Sequence, residues 1–396
     1  MAARIIESRG GERMQLERFD TGLFLSEYWQ KKPLLIRNPW KAWANPLAPD
    51  ELAGLACEEE VESRLVLPRG GSWTLEHGPF AERRFAKLGD RPWTLLVQSV
   101  DQFVPEVAAL IQPFRFLPNW RIDDVMVSYA TDGGGVGPHF DQYDVFLIQG
   151  LGRRRWRVGP PCDENTALLP NDDLRLLPGF EATGEWILDP GDILYVPPGI
   201  AHDGVAVGHD CMTYSIGFRA PSASDLLAGW SEHLLGETEE DLRYSDPGLI
   251  EQQNPGEISA QAVARLHELA TDKMLDRAAF GRWFGEYNSS RKYSDLGWAR
   301  EVPVAADEVR RLVARVVPMR RSSGSRFSFI RGEAGSVLLF ADGASFDCHG
   351  ETARLAQELC SRERMLVQSD LIESDSAMAL LAELLNRGSV EFSVPD

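Results

Sequence analysis

Asp189-Pro190-Gly191-Asp192-Ile193-Leu194-Tyr195-Val196-Pro197-Pro198-Gly199, with His202 three residues beyond, decides how the first half of this chain is read. Turn residues open and close it, and the apolar run Ile193–Val196 between them has the length of one short strand. A second stretch answers it upstream. The glycine-rich Gly133-Gly134-Gly135-Val136-Gly137-Pro138 runs into His139-Phe140-Asp141, and His202 follows Asp141 by sixty-one residues. Two imidazoles and one carboxylate on one face of an iron ion leave the remaining positions open for a co-substrate and dioxygen. A closed structural site would want a fourth protein ligand. His139, Asp141 and His202 are therefore the candidate metal ligands and catalytic centre.

Around these stretches the chain alternates. Asp124 to Tyr129, Val145 to Gln149 and Arg153 to Val158 read as strands, punctuated by turn signals at Gly150-Leu151-Gly152 and Pro197-Pro198-Gly199. Phe24 to Arg37 reads as a short amphipathic helix running into a strand, with Pro33 at the break. Many short strands with Gly/Pro turns indicate a barrel or sandwich. From about residue 222 the pattern becomes helical, over Ser224 to Leu235 and Ser259 to Trp283. So small a helical segment has little core of its own and is expected to bury its apolar face against the barrel or a second subunit. The last hundred residues read as a small α+β unit. It has helices over Asp307 to Val316, Glu351 to Leu359 and Asp375 to Asn386, and strands over Phe327 to Arg331, Ser336 to Phe340 and Val390 to Val394. Helices followed by a terminal hairpin suit a winged helix.

On a strand, residues two apart face the same way. His139 and Asp141 then present their side chains together into the barrel interior, Tyr143 joins them, and His202 comes from a facing strand near the other end of the fold. Two histidines and a carboxylate buried without a metal would be costly. By the same parity Arg154 and Trp156 share a face, while Arg153, Arg155 and Arg157 share the exposed one. One inward guanidinium near a metal suits a dicarboxylate co-substrate, because its fork pairs with the distal carboxylate while the oxo-acid end chelates iron. Ser128 can donate to the same carboxylate. Asp124 is either a turn or surface carboxylate or the acceptor for a cationic substrate side chain, whose aliphatic stem Met126 and Tyr143 would flank. Ser215 is either a packed hydroxyl or part of that pocket. The other histidines, His77, His209, His233, His267 and His349, have no partner at ligand spacing, and His209 in Gly208-His209-Asp210 reads as a hairpin turn.

Composition sets outer bounds. With 41 Lys+Arg against 60 Asp+Glu the chain carries a formal charge of -19, which disfavours broad binding to nucleic acid and favours a basic partner. Five scattered cysteines with no CxxC fit a reducing cytosol. There is no apolar run of membrane-spanning length and no secretory pattern at Met1–Arg9, so a soluble cytoplasmic protein is expected.

The motif from Gly133 through His139-Phe140-Asp141-Gln142-Tyr143-Asp144, the run Gly152-Arg153-Arg154-Arg155-Trp156, and the turn-bounded stretch before His202 resemble the JmjC-type 2-oxoglutarate oxygenases. More narrowly they are similar to the bacterial ribosomal oxygenases, which hydroxylate an arginine of a large-subunit ribosomal protein. Tyr28-Trp29-Gln30-Lys31-Lys32-Pro33 and Gly217-Phe218-Arg219-Ala220-Pro221 fit the same group, so the likeness covers roughly residues 20–221. It implies an α+β chain with a double-stranded β-helix (a cupin or JmjC barrel) over 1–221, a helical dimerisation region over 222–298 and a winged-helix-like domain over 299–396. It implies iron(II) at His139, Asp141 and His202, and 2-oxoglutarate at Arg154 with Ser128. Asp124, Met126, Tyr143 and Ser215 would surround the target arginine, and the protein would be a cytoplasmic homodimer that does not bind nucleic acid directly. A JmjC-type demethylase, a small-molecule oxygenase and a non-catalytic cupin with a winged helix remain alternatives.

Overall fold

The computed structural model describes residues 16–69, 72–170, 174–237, 242–251, 253–293, 297–315, 317–367 and 369–392. The chain divides into two compact units, Met1–Ala220 and Pro221–Asp396.

The first unit is built on one nine-stranded sheet. Its strands are β1 (Leu34–Ile36), β2 (Ser63–Arg69), β3 (Ser72–His77), β4 (Thr94–Val97), β5 (Ile122–Ala130), β6 (Val145–Pro161), β7 (Gly184–Leu188), β8 (Ile193–Val196) and β9 (Ile200–Phe218). They run in the order β1-β8-β6-β9-β5-β4-β2-β3, with β7 also on β6. Every pairing is antiparallel. The first half of β6 pairs with β8, its second half with β7, and β9 runs along its other side. This is the double-stranded β-helix expected from the motifs.

Large apolar side chains close the outer side of the sheet. Phe24, on the short helix Thr21–Glu27, packs its ring 5.5 Å from Phe146 and 4.9 Å from Tyr195. Asp20 caps that helix by accepting from the Leu23 amide at 2.9 Å. Pro33 ends the local turn, and Leu34 pairs with Tyr195, as the helix-to-strand reading anticipates.

Two turn assignments fail. Gly150–Gly152 does not end a strand, because β6 continues for 17 residues. Gly208–Asp210 is no hairpin tip, because β9 continues for 19. The register passes from Gln149↔Thr213 and Leu151↔Met212 to Arg153↔Val207, so the two glycine stretches meet where the ladder shifts twice, first on β6 and then on β9. Gly152 has φ +55°, and a Cβ there would lie 2.6 Å from the His209 carbonyl oxygen. The glycines serve close approach of two strands, which a local reading takes for turns.

The second unit opens with the helix Ala223–Gly236, whose Ser222 and Asp225 form a capping box. The single helix expected over Ser259 to Trp283 is broken into Ala260–Thr271 and Arg277–Ser289. Asp276 makes the break by accepting from the amides of Ala278 and Ala279 at 2.9 and 3.0 Å. Helices Ala306–Ala314, Glu351–Ser361 and Asp375–Asn386 follow. The expected helix end at Val316 and strand end at Val394 lie outside the described residues. Strands β10 (Pro318–Arg321), β11 (Phe327–Arg331), β12 (Val337–Ala341), β13 (Ala344–Cys348), β14 (Arg364–Leu366) and β15 (Val390–Phe392) form two sheets, β14-β10-β15 and β11-β12-β13. The final strand therefore returns to β10 and makes no terminal hairpin. Leu355, Leu359, Leu381 and Leu384 of the helices pack with Met319, Phe327 and Leu339 of the strands in one core. Among the described residues no helix is long and apolar enough to cross a membrane, and the five cysteines are free.

Candidate metal centre and its surroundings

His139 and His202 do not face each other from distant strands. They form an isolated antiparallel bridge, with each amide donating to the other's carbonyl at 3.0 and 2.8 Å. The expectation of a facing strand is corrected by this direct pairing. Asp141 and Tyr143 lie in irregular backbone beyond the bridge, so strand parity does not place them. Asp141 is held by its carbonyl, which accepts from the Gly199 amide at 2.7 Å. Gly199 has φ +73° and comes from the Pro197-Pro198-Gly199 turn. The two motifs are thus stitched together by backbone hydrogen bonds.

One ligand atom from each of His139, Asp141 and His202 lies within 4.8 Å of the others. His202 Nε2 is 3.6 Å from Asp141 Oδ2, and the imidazole centroids are 4.3 Å apart. Each ring points its Nδ1 at a carbonyl two residues back, His139 at Gly137 (2.8 Å) and His202 at Ile200 (2.9 Å). A carbonyl only accepts, so the proton sits on Nδ1 and the lone pair is on Nε2, where a metal can take it. Burial pushes the His202 imidazolium down to about 4, and His139 adds to the effect. His202 is therefore neutral near pH 7, the form that ligates.

The preceding glycines are sites of close backbone approach. A Cβ on Gly135 would lie 2.5 Å from the Gly204 carbonyl oxygen, and one on Gly134 2.4 Å from that of Trp93. Gly135 lets the segment lie close against β9, and Gly134 lets it lie close against the backbone at Trp93.

Arg154 stands in β6 at 3% exposure, opposite Ala206 of β9. Its Nη1 donates to the Gly204 carbonyl at 3.3 Å, and its guanidinium lies 5.7 Å from the Trp156 ring. Nε and Nη2 are buried with no hydrogen-bond partner among the described residues. A buried guanidinium with two unmet donors is matched by an anion.

A JmjC domain model matches residues 109–226, a ROXA-like winged-helix model 268–391, and an AraC-like ligand-binding model 181–279. The ribosomal protein uL16 3-hydroxylase of Escherichia coli is 40% identical over 368 residues, covering 92% of this chain and 95% of that protein. The chain belongs to the JmjC-type ribosomal oxygenases. A probable ribosomal oxygenase of Haemophilus influenzae is 40% identical over 288 residues, 69% of this chain and 70% of its own. The crystal structure of the ribosomal oxygenase YcfD from Escherichia coli in complex with cobalt and 2-oxoglutarate superimposes with a TM-score of 0.84 at 37% identity. It covers 96% of this chain and all of that one.

In this ribosomal oxygenase the remaining candidates lie on β5 and β9, except Tyr143 in the irregular stretch before β6. Asp124 and Ser128 are buried at 3% and 5%, with half-buried Met126 between them, and Met126 pairs with Ser215 of β9. Ser128 Oγ lies 3.5 Å from the Thr213 carbonyl oxygen. Asp124 is no surface carboxylate. Its Oδ2 accepts from Gln98 Nε2 at 2.8 Å and Ser99 Oγ at 2.5 Å. Tyr143 exposes 43% of its surface, yet burial raises its phenol and the carboxylates of Asp141 and Asp124 add to the rise. Its ring edge is wet while its hydroxyl reaches toward the acids.

A second network escaped the sequence reading. Asp144 is fully buried and accepts from Tyr195 Oη (2.6 Å), Gln30 Nε2 (3.0 Å) and Arg121 Nη2 (3.0 Å). The Gln30 amide in turn donates to Tyr195 Oη at 2.7 Å. This links three quoted motifs, those of Gln30, Asp144 and Tyr195. Their recurrence beside apolar residues was the available signal.

Proposed function

We propose that this chain is an iron(II)- and 2-oxoglutarate-dependent oxygenase that hydroxylates an arginine side chain of a large-subunit ribosomal protein, with uL16 as the first candidate. The observation that carries the reading is the buried Arg154, whose two unmet donors beside a 2-His-1-carboxylate set call for a dicarboxylate co-substrate.

The residues fit the groups. His139, Asp141 and His202 offer two imidazoles and one carboxylate, the donor set of open iron(II) sites. Arg154, with Ser128, would take the distal carboxylate of 2-oxoglutarate. Bound together, iron, 2-oxoglutarate and dioxygen supply the oxidant that converts C–H to C–OH, with succinate and carbon dioxide as co-products. The protein's own work is placement. Asp124 receives the cationic end of the target, Met126 and Tyr143 flank its aliphatic stem, and Ser215 lines the pocket, so one carbon is held toward the metal. A basic ribosomal protein would also be drawn by the formal charge of -19. Such a substrate places the enzyme in the cytoplasm.

The helix Ala260–Thr271 has no buried residue and exposes Val263, Leu266 and Leu269 at three-residue spacing. We assign this stripe, within the 222–298 helical region that precedes a winged-helix part at 299–396, to contact with a second copy. Native mass spectrometry of Leu266→Glu against the parent protein tests it.

The activity test is anaerobic reconstitution with iron(II) and 2-oxoglutarate, then exposure to air with a uL16 peptide and His139→Ala as control. One added oxygen localised to arginine supports the hydroxylase. Loss of a methyl group from a methylated peptide would mean a demethylase. Succinate with neither would mean an oxygenase of another substrate. Metal-loaded protein that forms no succinate would refute the enzyme reading.

A further inference from the structure

The segment after β4 has a form that its own sequence does not favour. Ser99 adopts φ +54°, ψ 37°, the left-handed region, where glycine would be free of strain. It is also fully buried. Strain kept at a buried non-glycine residue points to a side chain that is needed there.

That side chain holds Asp124. Ser99 Oγ donates to Asp124 Oδ2 at 2.5 Å, and Gln98 Nε2 donates to the same oxygen at 2.8 Å. Asp124 itself sits on a bulge. The β5–β9 register jumps from Ile122↔Phe218 to Val125↔Ile216, so Asp123 and Asp124 together oppose Gly217. Bulges re-aim a side chain. Two residues after Ser99, Asp101 accepts from the Val125 amide at 2.8 Å. The left-handed turn therefore grips the bulge at Asp124, through two donors, and again at Val125.

Two donors on one oxygen fix the plane of a carboxylate. Oδ1 is thereby held over Gly217, where even a Cβ would stand 3.9 Å away. A guanidinium reads that plane, because its fork needs both partners in one geometry, whereas an ammonium is a point charge and does not. We propose that Ser99, assisted by Gln98, is a positioning residue that orients the Asp124 carboxylate for the guanidinium of the target arginine. This rests on the reading that Asp124 receives that arginine.

The test is steady-state hydroxylation of a uL16 peptide by Ser99→Gly, Gln98→Met and Asp124→Asn, with thermal unfolding of each. Ser99→Gly keeps the backbone and releases its strain, which offsets the lost hydrogen bond to Asp124, so its melting temperature should change little. Its KM for the peptide should nevertheless increase roughly tenfold with kcat little changed, the worth of one hydrogen bond to a charge. Gln98→Met should raise KM in the same way. An unchanged peptide KM in Ser99→Gly, with a large rise in Asp124→Asn, would overturn the positioning role and leave the Asp124 reading intact. An unchanged KM in Asp124→Asn would overturn both.

Discussion

Replacing Arg154 by methionine separates what the guanidinium does for the fold from what it does for the ligand. Arg154 is 3% exposed and leaves Nε and Nη2 without partners among the described residues. Each buried unmet donor costs about 1–3 kcal/mol. Methionine fills similar space and carries no donor. The ligand-free variant is therefore expected to gain about 2 kcal/mol, a rise in melting temperature of roughly 4–8 °C for a unit of this size. The co-substrate should lose far more. Truncating one partner of a buried charge pair costs about 3–5 kcal/mol, so 2-oxoglutarate should bind roughly 10²- to 10⁴-fold more weakly. The two effects have opposite signs, which few substitutions share. Anaerobic calorimetric titration of 2-oxoglutarate into manganese-loaded protein reads the second, and thermal unfolding with and without ligand reads both. A variant that melts lower without ligand, and is still stabilised by 2-oxoglutarate as much as the parent, would refute the reasoning. Arg154→Lys should fall between, since an ammonium keeps the charge but loses the fork.

Other residues give equally direct outcomes. Asp101 is lifted from its ordinary 3.8 to about 7 by burial, with Asp124 adding. Between those values the folded state keeps a proton that the unfolded state has lost, so stability falls as pH rises from 4 to 7. Asp101→Asn should remove that slope and be more stable than the parent above pH 7, by about 4 kcal/mol at most, in urea unfolding at pH 4, 6 and 8. Gly135→Ala would set a Cβ 2.5 Å from the Gly204 carbonyl oxygen. It should destabilise by about 1–3 kcal/mol and weaken metal binding by shifting the His139–His202 bridge, which calorimetric titration with manganese checks. Tyr195→Phe removes a donor from fully buried Asp144 and should cost about 1–3 kcal/mol, read as the urea midpoint.

The clustering of His139, Asp141 and His202 was legible because residue type and motif context carry it. The inward face of Arg154 was legible because strand alternation has a period of two. Other features depend on what arrives from elsewhere in the chain. Gly152 reads as a turn until the His209 carbonyl is found against it. The direct pairing of His139 with His202 likewise follows from the roll of the sheet, and their separation in sequence carries no trace of it. Asp276 could have marked the helix break at 272–276, but apolar spacing ran through it and outweighed a single capping residue. Gln98 and Ser99 are ordinary polar residues after a strand, and only the bulge at Asp124 makes them partners.

The bulge shared by β6 and β9 has a consequence for which residues can work together. Below it, Arg154, Trp156 and Val158 pair with Ala206, Gly204 and His202; above it, Leu147 and Gln149 pair with Ser215 and Thr213. Trp156, Val158 and Leu147 pack in one core cluster, although even numbers share it with an odd one. An unbroken alternation would send His202 and Ser215, thirteen residues apart on β9, to opposite sides of the sheet. The odd step at Gly150–Leu151 works as a half-twist in a ribbon: it turns the second half over so that both ends of β6 look to the same side. Straightening that step by a one-residue deletion would leave the His139–Asp141–His202 cluster and the Met126–Ser215 pair individually whole, on opposite sides of a wall.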